Sequence, residues 1–93
     1  MEMLQFNNET KGSFQAMIDG AKAGTMTYSW AGTDKIIIDH TEVDPAYKGK
    51  GVGNELLNAA VDFARAQQIK IMPLCPFAKS VFDKTPSIHD VLL

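Results

Sequence analysis

The run Tyr47-Lys48-Gly49-Lys50-Gly51-Val52-Gly53 places three glycines at alternate positions and interleaves them with two lysines. Glycine carries no Cβ, so backbone N–H groups there can come close to a ligand. The run leads into a helical pattern, and the first turn of a helix has unpartnered N–H groups and a partial positive charge. Together these features make a site for a phosphate or diphosphate. The bland alternative is a glycine-rich turn that only joins a strand to a helix. Two familiar phosphate motifs fail on spacing. A P-loop needs Gly-Lys followed by Ser or Thr, and Gly49-Lys50 is followed by Gly51. The dinucleotide fingerprint needs a small residue three positions after its second glycine, where Asn54 or Leu56 stands.

With its upstream neighbours, Val43-Asp44-Pro45-Ala46-Tyr47, the run resembles the acetyl-coenzyme A loop of the GNAT superfamily of N-acetyltransferases. That loop reads Gln/Arg-x-x-Gly-x-Gly/Ala, often after Val-x-Pro-x-Tyr. Lys48 replaces Gln/Arg, so a two-pronged donor becomes a point charge. The pattern is similar to that of a subgroup of very small GNAT-like proteins, with His-Thr-Glu-Val-x-Pro-x-Tyr at His40 to Tyr47 and Leu-Cys-Pro at Leu74 to Pro76. The resemblance implies acetyl-coenzyme A as acetyl donor and an amine, on a small molecule or a protein, as acceptor. It also implies that the backbone at Val43 pairs with the pantetheine arm. The diphosphate would then rest on Lys48, Gly49, Lys50, Gly51, Val52, Gly53 and Asn54.

Acetyl transfer needs a positioned carbonyl, an amine that loses a proton and a thiolate stabilised as it leaves. If the arm lies between the strand holding His40 and the one ending at Leu74, three side chains are placed to act. Glu42 is the general base by family analogy, and strict alternation puts it on one face with Ile36, Ile38 and His40. The alternative is a solvated strand-end carboxylate. His40 can also serve as a base, or be a satisfied structural histidine. Cys75 precedes a proline-started helix, whose N–H groups favour a thiolate. It could be a nucleophile, a hydrogen-bond donor to departing coenzyme A, or a buried packing thiol. The tyrosine that many family members use as general acid has no counterpart on the following helix, which offers Phe77 and Phe82. No His/Cys/Asp/Glu cluster has metal-ligand spacing, so no metal is expected.

The elements that must hold these groups are legible from periodicity. Strands are expected over 2–6, 13–18, about 22–30 and 35–43, the second and third joined by an Asp19-Gly20 hairpin turn. Phe14, Ala16 and Ile18 share one face, as do Met26, Tyr28 and Trp30. Val52, Leu56, Ala59, Ala60, Phe63 and Ala64 form a helical stripe ending near Gln67. Ile69 to Leu74 follows as a short strand, parallel to the long one because a helix crosses between them. Pro76 opens a second helix with Phe77, Ala78, Val81 and Phe82 on one side. Ile88, Val91 and Leu92 in the tail could dock on the sheet, and His89 could pair with Asp90. The expected class is α+β: a mixed, mostly antiparallel sheet with two helices, a minimal GNAT-like core. There is little room for the two helices that normally follow the family's first strand, or for its C-terminal strand pair.

Ninety-three residues without repeat, linker or low-complexity stretch indicate one domain, 1–93, that binds acetyl-coenzyme A. Nine basic against eleven acidic residues leave a net charge of −2, so no nucleic-acid partner is expected. A single cysteine excludes an internal disulfide and suits a reducing compartment. Met1 to Phe6 shows no secretory pattern, and no window reaches membrane-span length. The expectation is therefore a cytoplasmic monomer or weak homodimer with no membrane partner. Two functions fit: an N-acetyltransferase, and a non-catalytic module that holds acetyl-coenzyme A. A third, an interaction domain whose loop has lost its ligand, leaves the glycines without a purpose.

Overall fold

The computed structural model describes residues 1–93. Five strands lie in chain order across one sheet: β1 Glu2–Asn7, β2 Lys11–Ile18, β3 Ala21–Trp30, β4 Lys35–Val43 and β5 Lys70–Pro73. The first four are antiparallel to their neighbours, and β5 runs parallel to β4. Helix α1, Val52–Gln67, makes the crossover between them, and α2, Pro76–Lys84, follows β5. The expected α+β architecture is the observed one. No helix is long and apolar enough to cross a membrane.

The Asp19-Gly20 turn closes the β2–β3 hairpin with both residues at positive φ (51° and 81°), the type I′ geometry that matches strand twist. One face of the sheet carries the core. Phe14, Ala16, Met26, Tyr28, Ile36, Ile38 and Ile71 from the strands are buried there against Leu56, Leu57, Ala60 and Ala64 of α1 and Phe82 of α2. Phe63 packs edge-on to Phe14 and Trp30, with ring centroids 6.0 and 6.1 Å away. Tyr28 is 1% exposed; burial pushes its phenol up, and its hydroxyl donates to Asn7 Oδ1 at 2.6 Å. The opposite face has no helix on it.

The tail does dock. Ile88 and Val91 are buried, and Leu92 makes a parallel bridge to Ile71. His89 and Asp90 do not pair, however. His89 Nε2 meets the Phe82 carbonyl at the end of α2, while both Asp90 carboxylate oxygens accept from Arg65 of α1 at 2.9 Å. The Arg65 guanidinium holds the Asp90 carboxyl below its ordinary 3.8. A carboxyl depressed by folding stabilises the fold above its ordinary value and loses that contribution as pH falls through the lowered one. Asp90→Asn should therefore lower Tm at neutral pH. Thermal unfolding across a pH series should show the gap to wild type closing below 3.8. A gap that stays constant down to about pH 2 would mean the pair is not its cause.

Candidate functional site

β4 is not a regular strand. Thr27 stands opposite His40 but Tyr28 opposite Ile38, so Asp39 is an extra residue and β4 bulges there. A bulge reverses the alternation beyond it. Ile36 and Ile38 point into the core, and past Asp39 the core face passes to Thr41, opposite buried Met26, and to Val43, opposite Gly24. Glu42 and His40 consequently lie on the uncovered face, both exposed. The expectation that Glu42 sits beside Ile36 and Ile38 is corrected by this one inserted residue. Asp39 itself accepts from Ser29 Oγ at 2.6 Å.

The bulge coincides with the place where the sheet splits. β5 follows β4 only as far as Ile38–Pro73. The amides of Leu74 and Cys75 then both donate to the Ile38 carbonyl, at 3.2 and 3.1 Å, and the chain turns away into α2. Beyond Ile38, β4 has a neighbour on one side only. The Asp44 amide bonds the Ala23 carbonyl at 2.8 Å, which sets the phase of the β3–β4 ladder. By two-residue alternation, His40 and Glu42 also turn their backbone groups to β3, while Thr41 and Val43 turn theirs into the split. A short stretch of strand edge, Thr41 to Val43, is thus presented to an extended ligand, as in strand addition.

Cys75 lies at the floor of the split on the helix side, 4% exposed. Its thiol donates to Thr41 Oγ1 at 3.3 Å, and no imidazole or carboxylate touches it. The three side chains expected to act together are therefore divided by the sheet: Cys75 on the covered face, His40 and Glu42 on the other. The sequence reading missed Thr41. Its signal was a change of parity, since even-numbered Ile36 and Ile38 give way to odd-numbered Thr41 and Val43 as the apolar and β-branched positions.

The glycine loop stands at the mouth of the split. Asp44 caps the 3-10 turn Pro45–Tyr47 by accepting from the Ala46 amide at 2.9 Å. The backbone then takes positive φ at Gly49 (81°) and Gly51 (76°), conformations that disfavour any residue with a Cβ. Gly51 is the N-cap of α1 and offers no side-chain hydrogen bond. The amides of Gly49, Gly51, Val52, Gly53 and Asn54 find no partner within the chain. Lys48 and Lys50 are exposed beside them and make no ion pair. Such a cluster of free N–H donors, helix N-terminus and cations suits an anion.

Gly53 also has a packing role that its spacing does not suggest. A Cβ there would stand 2.7 Å from Phe77 Cζ, so its missing side chain lets the first turns of α1 and α2 meet. A substitution at Gly53 thus moves Phe77 as well as the loop, and Gly51, with open space around it, is the cleaner probe. Lys22, Gly24, Thr25, Glu42, Val43 and Asp44 are among the residues lining a shallow cleft of 400 Å³ at the ends of β3 and β4. No three His, Cys, Asp or Glu side chains are grouped to hold a metal.

Comparison with known proteins agrees with this fold. Residues 13–91 match the family described as GCN5-related N-acetyl-transferase. Protein NATD1 of Mus musculus is 30% identical over 61 residues, 66% of this chain and 56% of that protein. The chain thus spans little more than half the length of the curated relatives it matches. A GCN5-like protein of Staphylococcus aureus, solved by NMR, superposes with a TM-score of 0.71 at 36% identity, covering 99% of this chain and 87% of that one. The aminoglycoside N-acetyltransferase AAC(6')-Iy, solved in complex with CoA, shares the fold at TM-score 0.63 and 16% identity, over 94% of this chain and 89% of that one.

Proposed function

The chain belongs to the GCN5-related N-acetyl-transferase family, and on that premise we propose that residues 1–93 form a single domain that binds acetyl-coenzyme A and acetylates an amine. The observation that carries this reading is the junction of two binding surfaces. The unpartnered amides of Gly49 and of Gly51 to Asn54 stand beside the free end of β4, since Val52 lies against Gly24, the strand partner of Val43. A diphosphate followed by an extended amide-bearing arm has that shape and that donor pattern. The bound coenzyme supplies an acetyl thioester. Val43 and Thr41 would hold the arm by backbone hydrogen bonds, with Lys48 and Lys50 offsetting the phosphate charge.

The division of side chains by the sheet favours direct transfer. The acceptor amine enters from the uncovered face, where Glu42 is placed to take its proton and His40 stands one pleat away. Cys75, already a donor to Thr41, is placed to donate to the departing sulfur from the helix side. A nucleophilic role for Cys75 would need a base to remove its proton, and none contacts it. A pure binding module is the second reading, supported by the bare acceptor face and by a helix that offers Phe77 and Phe82 where many family members use a tyrosine as general acid.

The test is to incubate the protein with acetyl-coenzyme A and a panel of primary amines, following thiol release and acetylated products by mass spectrometry. Stoichiometric acetyl-amine formation, without acetylated Cys75 during turnover, is the expected result. Coenzyme binding with no transfer to any amine would favour the binding module, and an acetyl-Cys75 that passes its group on would replace direct transfer.

A further inference from the structure

β1 is an edge strand whose outer side is unprotected. The Asn8 amide donates to the Lys11 carbonyl at 2.9 Å, continuing the register in which Asn7 faces Gly12. Alternation then turns the backbone groups of residues 2, 4, 6 and 8 toward β2. Those of Met3, Gln5 and Asn7 turn outward, and β1 is the last strand of the sheet. Natural edges are blunted by lysine, proline, a bulge or a covering element. Glu2–Asn7 has none of these, and its one charge is at its first residue. Gln5 and Asn7 point to the covered face, where both bond Tyr28. Leu4 and Phe6 therefore lie on the uncovered face, with Phe6 56% exposed.

We infer that β1 pairs with β1 of a second copy of this chain, antiparallel and centred on Gln5, joining the two sheets into one. The strand is self-complementary in that register. Gln5 meets the partner's Gln5 and Met3 meets the partner's Asn7, so outward-facing backbone meets outward-facing backbone in about six hydrogen bonds. Leu4 falls opposite the partner's Phe6 at the non-hydrogen-bonded positions, where strands approach to about 4.5 Å between Cα atoms. Exposed Phe6 and half-buried Leu4 are covered by the same contact. Glu2 faces Asn8, not another carboxylate. Centring on Leu4 instead would set Glu2 against Phe6 and leave Asn7 without a strand partner. β1 and β5 are opposite edges of the sheet, so the contact leaves the glycine loop and the β4–β5 split untouched.

Sedimentation equilibrium of the full chain from micromolar to millimolar concentration should show a monomer–dimer equilibrium. Phe6→Lys sets a charge against Leu4 twice per dimer, and Gln5→Pro removes an outward amide while keeping the β1–β2 ladder. Each should raise the dissociation constant about tenfold or more. Leu74→Lys, at an equally exposed apolar site on the far edge, should leave it unchanged. In a mixed sample of isotope-labelled and unlabelled wild-type chains, NMR should show an interchain Hα–Hα contact between Leu4 and Phe6. A chain that stays monomeric, a dimer indifferent to Phe6→Lys, or a dimer lacking that contact overturns the inference. None of these results bears on coenzyme binding.

Discussion

Gly51→Val should weaken binding of acetyl-coenzyme A about a hundredfold, the equivalent of losing roughly one hydrogen bond to a charged group. Gly20→Val should leave affinity unchanged. The two glycines are matched controls. Their φ values are 76° and 81°, and a Cβ at either would meet nothing within 4 Å. Any side chain there costs about 1–2 kcal/mol of left-handed strain, so both variants should lose comparable stability by thermal unfolding. Only Gly51 caps α1 and orients the free amides of its first turn. Calorimetric titration separates the effects: equal affinities in the two variants would remove the loop from the binding site.

Glu42→Gln should lower kcat for amine acetylation by about 10²–10³ while leaving coenzyme affinity within a factor of a few. Glu42 keeps its backbone bonds to β3 in the variant, and its exposed side chain supports no core contact. What it loses is the ability to accept a proton on the face from which the acceptor amine is proposed to approach. His40→Gln, one pleat away on that face, separates the two candidate bases by the same steady-state measurement. Parallel losses in kcat and coenzyme affinity would assign Glu42 to holding the strand instead of the proton.

Features set by neighbouring residues or by chain connectivity were legible, and those set by packing between distant elements were not. The Asp19-Gly20 turn and the start of α2 at Pro76 follow from turn and capping chemistry within a few residues, and the end of α1 near Gln67 from the extent of its apolar stripe. The parallel placement of β5 follows from chain connectivity. The glycine loop was readable because positive φ at Gly49 and Gly51 is a local demand. Gly53 was not, because its requirement comes from Phe77 on another helix. Strict alternation failed at Asp39, since the run Ile36 to Ile38 carries no sign of a bulge and only the shift to Thr41 and Val43 records it. That single residue decides which face Glu42 occupies, and so places the proposed base on the other side of the sheet from Cys75. Thr41 became visible only once Cys75 was placed against it.

In the proposed function the glycine loop and the split beside β4 form one continuous coenzyme site, and amide chemical-shift mapping during titration with coenzyme A reads out both parts at once. The predicted result is a saturable set of shifts over Lys48 to Asn54, Thr41, Val43 and Leu74 to Phe77, with the Asp19-Gly20 turn and β1 unmoved. Shifts clustered instead around Asn7, Thr10 and Trp30, where the far end of the sheet holds another cleft, or no shifts at all, would contradict it.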